Sequence, residues 1–226
     1  MAAEHRLEVL ANADAVATRG AELIAEVSRD VAEHGDRFEL AASGGRTPWA
    51  MYGQLEDQTM DWQWTEIFQT DERVAPSGSD ERNLTHLILS LSLEAQMALR
   101  PMPVGEPELE EAAERYGNSL PEAFDLIHLG LGPDGHTASL VPGDPVLEVD
   151  DRRVAVTEGE YQGTRRMTLT FLELARARRL LWIVTGEEKR EPLGKLLARD
   201  RSIPAGRVEF SDSLILADRE AAPDAA

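Results

Sequence analysis

Short apolar runs alternate along this chain with amphipathic stretches, and the alternation sets the expected architecture. His5 to Leu10 reads as a first strand. From Asp14 the apolar positions Val16, Leu23, Ile24, Val27 and Val31 recur at helical spacing, with Asn12 or Asp14 placed to cap the start and Gly35 ending the run. Arg37 to Ala42 and Trp64 to Thr70 are the next two strands, separated by a helix through Trp49, Tyr52 and Leu55. The stripe Leu84, Leu87, Ile88 and Leu91 predicts a helix capped by Ser79 or Asp80. Arg100 to Val104 is broken by proline, as suits a short edge strand, and Glu106 to Leu120 is an acidic surface helix. Phe124 to Leu131 is a buried strand interrupted only by Asp125 and His128, and Val154 to Thr157 is a short one. Leu180 to Thr185 is strongly apolar, Gly186 opens a helix through Leu193, Leu196 and Leu197, and Leu214 to Ala217 is the final strand. This order predicts an α/β fold: an open, mostly parallel, Rossmann-like sheet with helices on both faces. No Gly/Ser/Pro linker divides the chain, so residues 1–218 are expected to form a single domain and 219–226 a disordered tail.

Residues able to bind or react gather where these strands stop. Ser43-Gly44-Gly45-Arg46-Thr47-Pro48 follows the second strand. Its glycines let backbone amides turn toward a ligand, and Pro48 opens the next helix, so strand, turn and helix amino end together form an anion cradle. Ser43 is not set as a nucleophile, because no Gly-x-Ser-x-Gly elbow surrounds it. Asp71-Glu72-Arg73 ends the third strand, and Gly132-Pro133-Asp134-Gly135-His136 ends the run from Phe124, where open α/β sheets place their ligands. A histidine there can serve as a general base, and Asp134 can orient it. Taken alone, Asp-Gly-His is a strand-ending turn with a surface histidine. Gly130, Gly132 and Gly135 also fit the spacing of a dinucleotide fingerprint. Against that reading, Asp134 would face the pyrophosphate with a negative charge, and Pro142 leaves too few residues for the helix that should hold it.

Composition narrows the partners. Over 226 residues, 42 Asp and Glu against 23 Lys and Arg give a formal charge of −19, which disfavours nucleic acid and acidic lipid. An anionic substrate would be repelled by that field, so the few basic residues must be concentrated in its site. There are no cysteines, no amino-terminal apolar core of signal-peptide length and no run of about 18 apolar residues, so a cytoplasmic protein is expected. Five scattered histidines form no zinc motif, and neither a metal nor a cofactor is expected.

Residues 130–142 resemble the 6-phosphogluconolactonase signature Gly-x-Gly-x-Asp-Gly-His-x-Ala-Ser-Leu-Phe-Pro, departing only at Val141. Ser43 to Pro48 resembles that family's Ser-Gly-Gly-x-Thr-Pro segment, and Asp71 to Arg73 its Asp-Glu-Arg motif. Arg166 stands where the family has a ligand arginine, although the proline before it is Arg165 here; Asn83 takes the place of a Ser-Asn pair whose serine is Arg82. Lys189 matches a phosphate-binding lysine and is read in the first turn of its helix, against the dipole, which suggests a nearby anion. The resemblance spans roughly residues 38–208. It implies an esterase acting on 6-phospho-D-glucono-1,5-lactone in the pentose phosphate pathway, with His136 as base and Asp134 orienting it. Glycine-rich turn amides would meet the oxyanion. The substrate and phosphate site would comprise Ser43, Gly44, Gly45, Arg46, Thr47, Asp71, Arg73, Gly132, Arg166 and Lys189. A small phosphosugar lactone is the expected partner, and a monomer the expected state. Two alternatives stand beside this reading. A glucosamine-6-phosphate deaminase/isomerase would carry a glutamate after Asp-Gly-His, where this chain has Ser139-Leu140-Val141-Pro142. A non-catalytic phosphosugar-binding regulator would use the same pocket as a sensor.

Overall fold

The computed structural model describes residues 4–223. In chain order the elements are β1 (Arg6–Leu10), α1 (Ala13–Glu33), β2 (Phe38–Ala42), α2 (Arg46–Gly53), β3 (Thr65–Gln69) and β4 (Asp71–Arg73). They continue with α3 (Asn83–Ser90), α4 (Leu93–Gln96), β5 (Leu99–Arg100), α5 (Leu109–Ser119), β6 (Leu126–Gly130) and β7 (Val154–Val156). The last are β8 (Arg166–Leu169), α6 (Phe171–Leu174), β9 (Leu180–Val184), α7 (Arg190–Leu197) and β10 (Ser213–Asp218). The start of α1 follows from its sequence: Asn12, not Asp14, is the cap, its side chain accepting from Ala15 N at 2.9 Å.

Seven strands form one parallel sheet in the order β1-β10-β9-β6-β2-β3-β5. Apolar side chains alternate between its faces, as a period of two requires. Leu181 and Ile183 of β9 and Leu214 and Leu216 of β10 pack with Val16 and Ile24 of α1 and Met51 and Tyr52 of α2. Leu180, Trp182 and Ile215 face the other way, toward Ala112 and Tyr116 of α5, Leu174 of α6 and Leu193 of α7. Both faces are therefore covered, as the near-continuous apolar strands anticipate. Sequence order runs outward in one direction through β2, β3 and β5, and in the other through β6, β9 and β10. The reversal falls between β2 and β6, so a crevice opens beyond the carboxyl ends of those two strands.

A second sheet was not anticipated. Asp71 to Arg73, expected only as the end of the third strand, is a strand of its own and pairs antiparallel with β8, which pairs in turn with β7. Thr70 is the joint: its N–H donates to Ala42 O of the large sheet and its carbonyl accepts from Leu169 N of the small one. Three further expectations are corrected. Helix α3 is capped by neither Ser79 nor Asp80; the buried Glu72 carboxylate accepts from the N–H groups of Asn83 and Leu84, each at 2.8 Å. Lys189 closes a 3-10 turn (Glu187–Lys189) and stands just before α7, outside its first turn. The expected tail from Arg219 begins instead with a turn in which Ala221 is fully buried and donates its N–H to Asp218 Oδ1. Residues 224–226 of that tail lie outside the described residues.

Candidate active site at the sheet switch point

The crevice at the β2/β6 reversal is a cavity of about 790 Å3. It is lined by Ser43, Gly44, Gly45, Arg46 and Thr47 from the loop after β2, and by Asp71 and Arg73 from β4. Gly132 and His136 enter from the loop after β6, Arg166 from β8 and Lys189 from the turn before α7. The structure thus brings together every site residue the sequence singled out, with Asp134 joined to the cavity wall through His136.

The two ends of the Asp134–His136 turn fix each other. Gly132 N donates to His136 O at 2.8 Å, Gly135 N donates to Gly132 O at 3.0 Å, and His136 N donates to Asp134 Oδ1 at 3.1 Å. A Cβ on Gly132 would stand 2.0 Å from His136 Nδ1, so only glycine lets the ring lie across the turn. His136 Nδ1 lies 2.5 Å from Asp134 Oδ1. Burial tends to raise the Asp134 carboxyl, but His136 and the hydroxyl of Tyr161 outweigh it and hold the group below the usual aspartate value. An ionised carboxylate only accepts, so Nδ1 carries the hydrogen, which leaves Nε2 as the ring nitrogen available to exchange a proton. The amides of Gly132 and Gly135 are engaged within the turn itself.

Two of the basic side chains, Arg73 and Arg166, are positioned by the small sheet. Arg166 is 4% exposed, its Nη2 donates to Tyr161 O at 3.0 Å, and its buried Nε makes no hydrogen bond among the described residues. Burial pushes its guanidinium below the ordinary arginine value, against the pull of Asp71. A phosphate oxygen would satisfy that donor and offset the cost of its desolvation. Arg73 Nη1 donates to Glu81 O at 2.7 Å. Burial also lowers the Lys189 ammonium, opposed by Glu188 at 3.9 Å and by Asp134.

Not every expected contact points into the crevice. Ser43 Oγ donates to His128 O at 3.0 Å and bonds Thr70 Oγ1 at 2.6 Å, while its N–H donates to His128 Nδ1. Its role is to tie β2 to β6. Asp71 is buried and accepts from Ser139 Oγ at 2.6 Å, a brace between the small sheet and the loop after β6. Asn83 turns its Nδ2 to Asp71 O and its Oδ1 to Gly44, where a Cβ would come within 2.3 Å of that oxygen. Arg82, in place of the family serine, is buried at 3.2 Å from Glu72. Tyr161 was missed: no spacing in the sequence signals that its hydroxyl reaches Asp134 at 3.0 Å.

Fold and site define a Rossmann-like α/β protein whose switch-point crevice sets a glycine-rich loop and a buried arginine beside a His–Asp pair. The chain belongs to the glucosamine-6-phosphate isomerase/6-phosphogluconolactonase family, whose model matches residues 11–216. It is 34% identical to the 6-phosphogluconolactonase of Synechocystis over 212 residues, covering 86% of this chain and 87% of that one. The solved 6-phosphogluconolactonase of Thermotoga maritima superposes with a TM-score of 0.86 at 28% identity, covering 96% of this chain and 100% of that one. The Trypanosoma brucei 6-phosphogluconolactonase gives a TM-score of 0.83 at 26% identity, over 96% and 97%. A monomeric glucosamine-6-phosphate deaminase, at 20% identity and a TM-score of 0.80 over 96% and 98%, shares the fold.

Proposed function

We propose that this chain hydrolyses 6-phospho-D-glucono-1,5-lactone to 6-phospho-D-gluconate, with His136 as the base that activates water. The observation that supports this reading is the placement of the Asp134–His136 pair in one crevice with Arg73, Arg166, Lys189 and the Ser43–Thr47 loop. With Nδ1–H held by Asp134, Nε2 takes a proton as water attacks C1 of the lactone. The carbonyl electrons move to oxygen, then return as the bond from C1 to the ring oxygen breaks. The imidazolium gives its proton to that oxygen, which leaves as the hydroxyl of the product. Asp134 remains a carboxylate throughout and stabilises the imidazolium between the two transfers. Arg73, Arg166 and Lys189 hold the 6-phosphate. Ser139 Oγ is engaged with Asp71, and Leu140 and Val141 are buried, so no acid follows His136 where the deaminase reading requires one. The reading carries with it the expectation of a cytoplasmic monomer.

The deciding assay couples 6-phosphogluconate formation to its dehydrogenase after subtraction of spontaneous lactone opening. The parent should turn over the lactone and release no ammonia from glucosamine 6-phosphate. His136→Ala should lower kcat by roughly 10²-fold or more. A folded His136→Ala protein with near-parental kcat removes His136 from the mechanism, and ammonia release comparable with lactone opening moves the chain to the deaminase branch.

A further inference from the structure

We infer that Tyr161 is a positioning residue joining the base to the phosphate-binding arginine, an inference that rests on the reading of His136 as the base. Its hydroxyl donates to Asp134 Oδ2 at 3.0 Å, while Asp134 Oδ1 holds His136 Nδ1 at 2.5 Å. Both carboxylate oxygens are thereby fixed, and the plane of the carboxylate with them. The same hydroxyl lies 3.4 Å from Nδ1, and the tyrosine ring meets the imidazole edge-on, with centroids 5.2 Å apart at 65°. On its other side Tyr161 holds Arg166 twice: the guanidinium carbon lies 5.2 Å from the ring centroid, and Nη2 donates to the Tyr161 carbonyl.

The local backbone is built to present this side chain. Tyr161 N donates to Thr164 O at 3.0 Å, closing a turn whose central residues, Gln162 and Gly163, have φ of 54° and 86°. Two positive φ values in succession mark a mirror-image hairpin turn. Gly163 adopts it freely, whereas Gln162 does so against its own preference, at a cost of order 1 kcal/mol. That cost places Tyr161 against Asp134 and His136, and Gln162 Oε1 3.4 Å from Arg166 Nη2. The charged groups facing the assembly are Asp134, His136, Arg166 and, through its attraction to Asp134, Lys189 with Glu188 beside it. Burial and the Asp134 carboxylate raise the Tyr161 phenol above the ordinary value, so it stays a donor throughout the neutral range.

Phosphate held by Arg166 and water held by His136 are thus registered to one another through a single side chain. Tyr161→Phe in the full chain separates this role from packing, because the ring stays and only the donor goes. Without it Asp134 becomes a stronger acceptor for the His136 Nδ1–H. NMR titration of the ligand-free protein should then show the His136 ring titrating ~0.5 pH unit or more higher. In turnover, kcat should fall about 5- to 20-fold with KM changed less than about 2-fold, the pattern of a displaced base with phosphate binding intact. Tyr161→Leu, which also removes the ring under Arg166, should in addition raise KM for the phosphorylated lactone by about 10-fold. An unmoved His136 titration, or an unmoved kcat, in folded Tyr161→Phe overturns the inference. The titration needs no substrate, so it tests the Tyr161–Asp134–His136 link even where the parent opens no lactone, an outcome that would sink the functional reading by itself.

Discussion

His128 lies wholly buried in β6, directly beneath the site, and it must be neutral there. Its Nδ1 accepts from Ser43 N and bonds the Tyr52 hydroxyl at 2.8 Å, and burial pulls its imidazole down to about 3. A base whose folded value is depressed gives stability that is whole above its unfolded value near 6.5. That stability is lost as pH falls toward the folded value, since the unfolded chain then binds the proton alone. His5, pulled down to about 4 by burial and by Arg199, acts in the same direction. Glu39, pushed up to about 7 by burial and by Glu66 and Asp125, opposes them, because its folded form takes up a proton first. Two histidines against one partly buried carboxyl leave a net loss on acidification between pH 6.5 and 4.5. His128→Gln should remove about 1.4 kcal/mol per pH unit from that slope, whatever it does to stability at pH 8. Urea denaturation at pH 5 and pH 8 measures this, and an unchanged pH slope would show that His128 is not the titrating group. At this scale the sequence spoke clearly for His136 and Asp134, two residues apart on a turn. It was silent on Tyr161, whose partners are set by a hairpin turn that no apolar period reveals.

Among the elements, β4 was not separated from the third strand, and the reason traces to Glu72. A charged triplet after an apolar strand looks like an exposed turn; instead Glu72 is fully buried and accepts from Gln69 Nε2, Arg73 N, Asn83 N and Leu84 N. One carboxylate therefore closes the amino end of α3, balances Arg82 at 3.2 Å and sets the backbone from which Arg73 enters the crevice. The parallel sheet was legible because its strands are apolar runs of ordinary length, and β7 was legible with it, while β4 is defined by its pairing with β8, far along the chain. Glu72→Gln would turn an amide donor toward groups that already donate and leave Arg82 uncompensated. Removing one partner of a buried pair costs about 3 to 5 kcal/mol. The chemical denaturation midpoint should fall accordingly, and KM for the phosphorylated lactone should rise as Arg73 loses its seat. A stability within 1 kcal/mol of the parent, the scale of an ordinary hydrogen bond, would show that Glu72 is not the keystone of this strand.

For the whole molecule, a formal charge of −19 surrounds a crevice that gathers Arg46, Arg73, Arg166 and Lys189, so binding of an anion depends on short-range contacts. Each charge-assisted contact contributes about 1.5 to 3 kcal/mol. Arg73→Ala should accordingly lower kcat/KM for the phosphorylated lactone by roughly 10- to 10²-fold, and leave slow opening of unphosphorylated gluconolactone nearly unchanged. Equal losses on both lactones would mark Arg73 as a structural residue held by Glu81. The scaffold bearing these groups joins distant stretches of chain: Ser139 reaches back to Asp71, and β1 lies against β10. Contacts so far apart in sequence form late, because the loops between them must close first. Helix α1 and its neighbours can regain their ellipticity before β4 and β8 have met, but a crevice divided between the two sheets does nothing until they do. On dilution from denaturant, catalytic activity should therefore return with a lag behind the far-ultraviolet circular dichroism signal, and a single shared rate constant would rule that order out.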